Sequence, residues 1–74
     1  MSYEKLTEDQ KFAWEWQYRR LGGFKLALAG AIARADTYNQ EKLAKSFPEE
    51  TLGIVSYQSV EGYWNNILTI MKEK

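Results

Sequence analysis

The sequence predicts a small all-α protein, a single helical domain over residues 1–74 whose first six residues are frayed. Two stretches, beginning at Phe24 and at Trp64, carry apolar residues at the i, i+3, i+4 and i+7 spacing of an α-helix. A capping sequence at Thr7 and the single proline, Pro48, mark the starts of two further segments. Together these observations predict three main helices, at about 8–21, 24–35 and 60–72.

The first helix is predicted to begin after Thr7, because Thr7 and Gln10 have the spacing of a capping box. The aromatic residues that follow alternate with period two, which would also suit a half-buried strand, but the cap and the polar composition favour a helix. On a helix, Trp14 and Trp16 point about 160° apart. We therefore expect at least one of them to make contacts beyond the monomer.

The second helix follows Gly22-Gly23, a pair that predicts a turn or hinge because glycines admit positive φ. Its stripe consists of Phe24, Ala27, Leu28, Ala31, Ile32 and Ala35. The helix is apolar around most of its circumference, and Lys25 and Arg34 are its only charged residues. Such a helix needs burial on more than one side, so we expect a homo-oligomer.

The chain from Asp36 to residue 46 either extends this helix or restarts as a new one, since Asp36 and Thr37 are both capping residues. A short helix or a loop is predicted after Pro48, because Gly53 and several β-branched residues weaken the helical signal over residues 51–60. Ser59 is the predicted cap of the last helix.

Composition excludes several functions. Cysteine and histidine are absent, which removes disulfides, thiolate nucleophiles and histidine-based triads. Ten basic and ten acidic residues cancel, which disfavours binding to bulk nucleic acid. No apolar run is long enough to span a bilayer. We expect a cytoplasmic protein that is not an enzyme and that uses no cofactor or metal.

The most suggestive cluster surrounds the glycine pair. Arg19, Arg20 and Lys25 flank it, and Tyr18 and Trp14 lie nearby in sequence. Cations, backbone amides and aromatic rings are the parts of a site for a nucleotide or phosphate. These five residues are the predicted ligand-binding site. The alternative is that the cations are surface charges that complement helix ends.

One ordered set of residues resembles small uncharacterised accessory proteins of tailed phages and prophages. It consists of Phe24, Leu28, Ala31, Ile32, Ala35, Asp36, Asn39, Lys42, Leu43, Phe47-Pro48-Glu49-Glu50 and Gly62-Tyr63-Trp64. The likeness departs over residues 51–60, where such proteins are more strongly helical. The resemblance implies a phage accessory protein in the host cytoplasm, of a kind that often inhibits host defence. It implies no catalytic residues.

Three functional hypotheses follow. The leading one is an anti-defence protein that sequesters a small anionic ligand, cyclic or otherwise derived from a nucleotide, between subunits. The second is an inhibitor or adaptor that binds a host defence protein through an aromatic patch such as Trp14 with Tyr18. The third is a structural or assembly factor without a small ligand.

Overall fold

The computed structural model describes residues 2–72, and every regular element in that range is a helix. A 3-10 helix spans Ser2–Lys5, and five α-helices follow it. They are α1 (Glu8–Gln17), α2 (Gly23–Arg34), α3 (Thr37–Ser46), α4 (Pro48–Ser59) and α5 (Tyr63–Lys72). The all-α prediction is confirmed, but the predicted count of three main helices is not. Within residues 2–72 no helix is long and apolar enough to cross a membrane.

Helix α4 is the centre of the fold. It contacts each of the other four α-helices, and its most extensive contact is with α1. Pro48 occupies the first turn, with Glu49 and Glu50 at the positive end of the helix dipole. The short helix or loop predicted after Pro48 is therefore a helix of 12 residues. The buried residues of α4 include Thr51, Gly53 and Ser56, so its buried face is not an apolar stripe that could be recognised in the sequence.

The contact between α4 and α1 depends on a glycine. A Cβ atom built at Gly53 would overlap the backbone oxygen of Asp9, so only glycine lets the two helices approach this closely. The Asp9 carboxylate links α1 to the residue before it and to α5. It accepts hydrogen bonds from the Thr7 hydroxyl at 2.6 Å and from the Tyr63 hydroxyl at 2.8 Å. Asp9 thus connects α1 to both α4 and α5.

Helix α1 lies between two apolar clusters. The first contains Phe12, Leu28, Ala29, Ile32 and Ile54, with Trp16 packed against it. The second contains Leu6, Ala13 and Ile67, with Trp14, Tyr63 and Trp64 packed against it. The two predicted sides of α1 are therefore both covered by the chain itself. Trp14 and Trp16 are each half-buried, so the opposed indoles do not by themselves require a second subunit.

The start of the chain differs from the predicted frayed segment. Ser2–Lys5 form the 3-10 helix, which contacts α5, and Leu6 is only 4% exposed. Met1 lies outside the described residues. At the start of α1, the Thr7 backbone N–H donates to the Gln10 side-chain oxygen at 2.9 Å, as the capping sequence predicted.

Helices α2 and α3 form two separate elements, which corresponds to the predicted restart. The Asp36 side chain caps α3 by accepting from the Asn39 N–H at 2.8 Å. The buried face of α2 consists of Leu28, Ala29 and Ile32. It is rotated from the predicted stripe, since Phe24 is 69% exposed and Ala27 and Ala31 are also exposed.

The last helix begins at Tyr63, three residues later than predicted. Ser59 ends α4 instead of capping α5. Between the two helices, Gly62 has a φ of 85°, a left-handed conformation that favours glycine. The reversal before α5 therefore lies at Gly62.

Two glycine substitutions are expected to change stability in opposite directions. Gly53→Ala should lower the free energy of unfolding by about 1–3 kcal/mol, because α1 and α4 must separate to admit the methyl group. Gly30→Ala in α2 should raise it by about 1 kcal/mol, because a Cβ there meets nothing within 4 Å. Urea unfolding followed by circular dichroism measures both. If Gly53→Ala and Gly30→Ala changed the free energy of unfolding equally, the close approach of α1 and α4 at Gly53 would be contradicted.

Two partly buried phenols, those of Tyr3 and Tyr63, should make stability fall at high pH. Burial and a hydrogen bond to Glu15 raise the pKa of Tyr3 to about 12, and burial and the bond to Asp9 raise the pKa of Tyr63 above its ordinary value. The folded state holds these protons more tightly than the unfolded chain, whose tyrosines titrate near pH 10. Their contribution to stability is complete below about pH 10 and is lost as pH rises through the folded pKa.

Tyr63→Phe tests this linkage. At about pH 8 the variant should be less stable by about 1 kcal/mol, because it lacks the hydrogen bond to Asp9. The difference should narrow towards about pH 11, because phenylalanine cannot ionise in the unfolded state. Urea midpoints across this range measure the effect. Tyr38→Phe is the control, since Tyr38 is 63% exposed, and an identical pH response of the two variants would refute the assignment.

Candidate ligand-binding site

The turn after α1 organises the candidate site. Helix α1 ends at Gln17, four residues before the predicted end at residue 21. The Arg20 N–H donates to the Glu15 carbonyl at 2.8 Å and the Arg19 N–H donates to the Trp16 carbonyl at 3.2 Å, which is the bonding pattern of a Schellman motif. Arg19 has a φ of 57° and occupies the left-handed position where glycine is usual.

A turn separates α1 from α2, as the glycine pair predicted, but it lies at Tyr18 and Arg19, before the glycines. Gly22 has a φ of −73° and Gly23 is the first residue of α2, so neither adopts a positive φ. A Cβ at either position would meet nothing within 4 Å. The positive φ that the glycines would admit is found at Arg19 instead.

Arg19 borders a cleft of about 550 Å³, which we call the Arg19 cleft. Its lining residues are Trp16, Gln17, Arg19, Leu26 and Tyr57. The volume falls in the range of about 300–1,000 Å³ that is typical of small-molecule pockets. Across the described chain, Arg19 is the one charged residue among those that line the cleft, and no carboxylate joins it.

Two aromatic rings and an amide complete the cleft. The Trp16 and Tyr57 rings lie 5.5 Å apart, nearly perpendicular at 81°. The Tyr57 hydroxyl donates to Gln17 Oε1, which directs the amide oxygen to Tyr57 and leaves the amide N–H groups as donors. The cleft therefore combines aromatic surface with donors from Arg19 and Gln17. This combination suits a ligand that has both an aromatic ring and an anionic group.

A second group of predicted residues lies outside the lining of the cleft. We call it the Trp14 patch, and it consists of Trp14, Tyr18 and Arg20. The Trp14 and Tyr18 rings are 5.0 Å apart, and the Arg20 guanidinium lies 5.3 Å from the centre of the Trp14 ring. Tyr18 is 50% exposed. Three of the five predicted site residues thus come together in one patch, while Arg19 faces a different surface.

Lys25 joins neither group. It lines a cavity of about 230 Å³ together with Tyr3, Glu8, Lys11, Phe12, Glu15, Glu49 and Glu50. Carboxylates outnumber cations in this cavity, so it is unfavourable for an anion. Within residues 2–72 no group of three or more side chains is arranged to hold a metal ion.

The sequence prediction missed most of the cleft. The sequence assigned Trp16 only a position opposite Trp14, although Trp16 precedes Arg19 by three residues. Tyr57 is separated from Gln17 by 40 residues and lies in the segment predicted only as a short helix or a loop. No local signal could have paired these two residues, because the packing of α1 on α4 brings them together.

Comparison of the sequence with protein-family models gives no match, and comparisons with curated proteins and with solved structures give none either. The geometry of the site therefore carries the functional argument.

Arg19→Gly should raise the free energy of unfolding by about 1 kcal/mol, because it removes the Cβ from a left-handed position. Arg19→Ala is the matched control, since it removes the same charge but keeps the Cβ, and it should give no such gain. Thermal unfolding of the two variants measures the difference. Equal stability would show that the left-handed conformation carries no cost.

Proposed function

We propose that this protein is a non-enzymatic binding protein that holds a small nucleotide-like anion in the Arg19 cleft. The observation that carries the proposal is the composition of the cleft, which has one guanidinium, two aromatic rings, amide donors and no carboxylate among its lining residues. A base can lie against an aromatic ring while the phosphate accepts from Arg19.

The conformation of Arg19 also supports the proposal. A left-handed arginine costs about 1–2 kcal/mol where glycine would cost nothing. Residues held in such conformations cluster at functional sites, because the function compensates for the lost stability. A requirement for the guanidinium in the cleft would explain an arginine at this position.

The biological setting in this proposal is a phage or prophage accessory protein of the host cytoplasm. Sequestration of a signalling nucleotide would then act against host defence. The resemblance noted in the sequence supports this setting, and the cleft supports the ligand class.

A second candidate function is direct binding of a host protein through the Trp14 patch. Its support is composition, since Trp, Tyr and Arg are the residue types that most often dominate protein interfaces. Tyr18 is half-exposed, and both its ring and the Arg20 guanidinium lie against Trp14. Contacts made mainly by aromatic rings would resist added salt, whereas an ion pair with Arg19 would weaken.

The proposed assembly is a homo-oligomer in which α2 meets α2 of a second copy. Phe24, Ala27 and Ala31 form an exposed apolar face on α2. The small alanine side chains would allow close approach of another helix. The formal net charge of zero means that two copies do not repel each other.

Isothermal titration calorimetry with a panel of nucleotides tests the leading function. Arg19→Gln should weaken binding by about tenfold or more, because it removes a charge-assisted hydrogen bond and leaves a Cβ in place. Arg34→Gln is the control, since Arg34 lies in the last turn of α2 and lines a different cavity. Raising the salt from about 0.05 M to about 0.5 M should also weaken binding.

Two results would contradict the proposal. One is the absence of binding by any nucleotide in the panel. The other is an equal loss of affinity in the Arg19 and Arg34 variants. Tyr18→Ala should leave nucleotide affinity unchanged, because Tyr18 is outside the lining of the Arg19 cleft.

A further inference from the structure

The three cations predicted for the site, Arg19, Arg20 and Lys25, lie in three different environments. Within the described chain, Arg19 alone brings charge to its cleft. The Arg20 guanidinium is held over the Trp14 ring, and Lys25 lines the cavity that also contains Glu8, Glu15, Glu49 and Glu50. The cleft therefore presents a single positive charge.

A single cation limits the charge of a favourable ligand. The attraction between Arg19 and an anion grows in proportion to the charge of the anion. Charge that enters the cleft leaves water at a cost that grows with the square of that charge, and a second charged phosphate would find no second cation among the lining residues. A ligand with one negative charge matches the cleft best.

We infer that the ligand is a nucleotide whose phosphate is a diester, such as a 3′,5′-cyclic nucleotide, and not a nucleoside polyphosphate. This inference rests on the proposed function and specifies its ligand class. A phosphodiester carries one negative charge, whereas a phosphate monoester carries about 1.5–2 near pH 7. The two unesterified oxygens of the diester accept hydrogen bonds from the Arg19 guanidinium and the Gln17 amide. The base lies against the ring of Trp16 or Tyr57.

A nucleic-acid strand contains the same linkage but needs a different surface. Strand binding uses a groove in which cations follow successive phosphates. Beside the Arg19 cleft, the next cation along the chain is Arg20, which is engaged with Trp14. The balance of ten basic and ten acidic residues supplies no wider positive field. The cleft is therefore built for a small phosphodiester.

Matched ligand pairs test the inference on the 74-residue chain. The probes are the 3′,5′-cyclic monophosphates of adenosine, guanosine, cytidine and uridine, each compared with its own 5′-triphosphate by calorimetry. For the base that binds best, the cyclic form should bind about tenfold more tightly than the triphosphate. Because both members of a pair carry the same base, base stacking contributes equally to their affinities and does not affect the comparison.

Leu26→Lys supplies a second cation and serves as a gain-of-function test. Leu26 lines the cleft and is 49% exposed, so the exchange leaves both cores intact. It should raise triphosphate affinity by about tenfold and abolish the preference for the cyclic form. Leu26→Gln, which has a similar length and no charge, should retain the preference.

The outcomes distinguish a failure of the phosphodiester inference from a failure of the proposed nucleotide binding. If a triphosphate binds the wild-type protein as tightly as its cyclic partner or more tightly, nucleotide binding stands and the inference of a phosphodiester is overturned. If Leu26→Lys leaves the preference unchanged, charge is not its cause and the inference is again overturned. If no probe binds, the proposed function fails and the inference fails with it.

Discussion

The fold depends on the close approach of α1 and α4 at Gly53. The backbone of Asp9 occupies the space that any side chain at position 53 would need. This contact places Ile54 in the core with Phe12, and it brings Tyr57 to Gln17 and Trp16. The candidate cleft therefore exists because two helices meet without a side chain between them at one point. A glycine that weakens α4 as an isolated helix is what allows α4 to be the central one.

Much of the fold could be predicted from the sequence where helices have one buried face or a recognisable cap. The capping residues at Thr7 and Asp36 and the proline at position 48 all begin helices in the structure. Helix α4 was the least specified segment, because its buried face consists largely of small and polar residues and its glycine opposes helix formation. The rotated face of α2 could not be predicted for a related reason, since its neighbours decide which apolar residues are covered.

The candidate site shows the same division between local and long-range information. Arg19 was recognised from its neighbours in sequence, but it lines a different surface from Arg20 and Lys25. The three predicted cations consequently lie on three surfaces instead of forming one cluster. Its aromatic partners arise from packing between α1 and α4, which no local pattern encodes. The sequence identified Arg19 as the charged residue of the site. The tertiary structure determines which other residues line the cleft with it.

The aromatic rings have a consequence for how this molecule responds to light. Neighbouring rings lie 5.0–6.1 Å apart in one continuous series, which runs through Tyr3, Trp14, Tyr18, Trp64, Tyr57 and Trp16. All three tryptophans of the chain belong to it. At such separations an excited ring can pass its energy to the next before it emits. The ultraviolet emission is thus a property of the whole series, and a disturbance at Trp16 or at Tyr3 alters one shared signal.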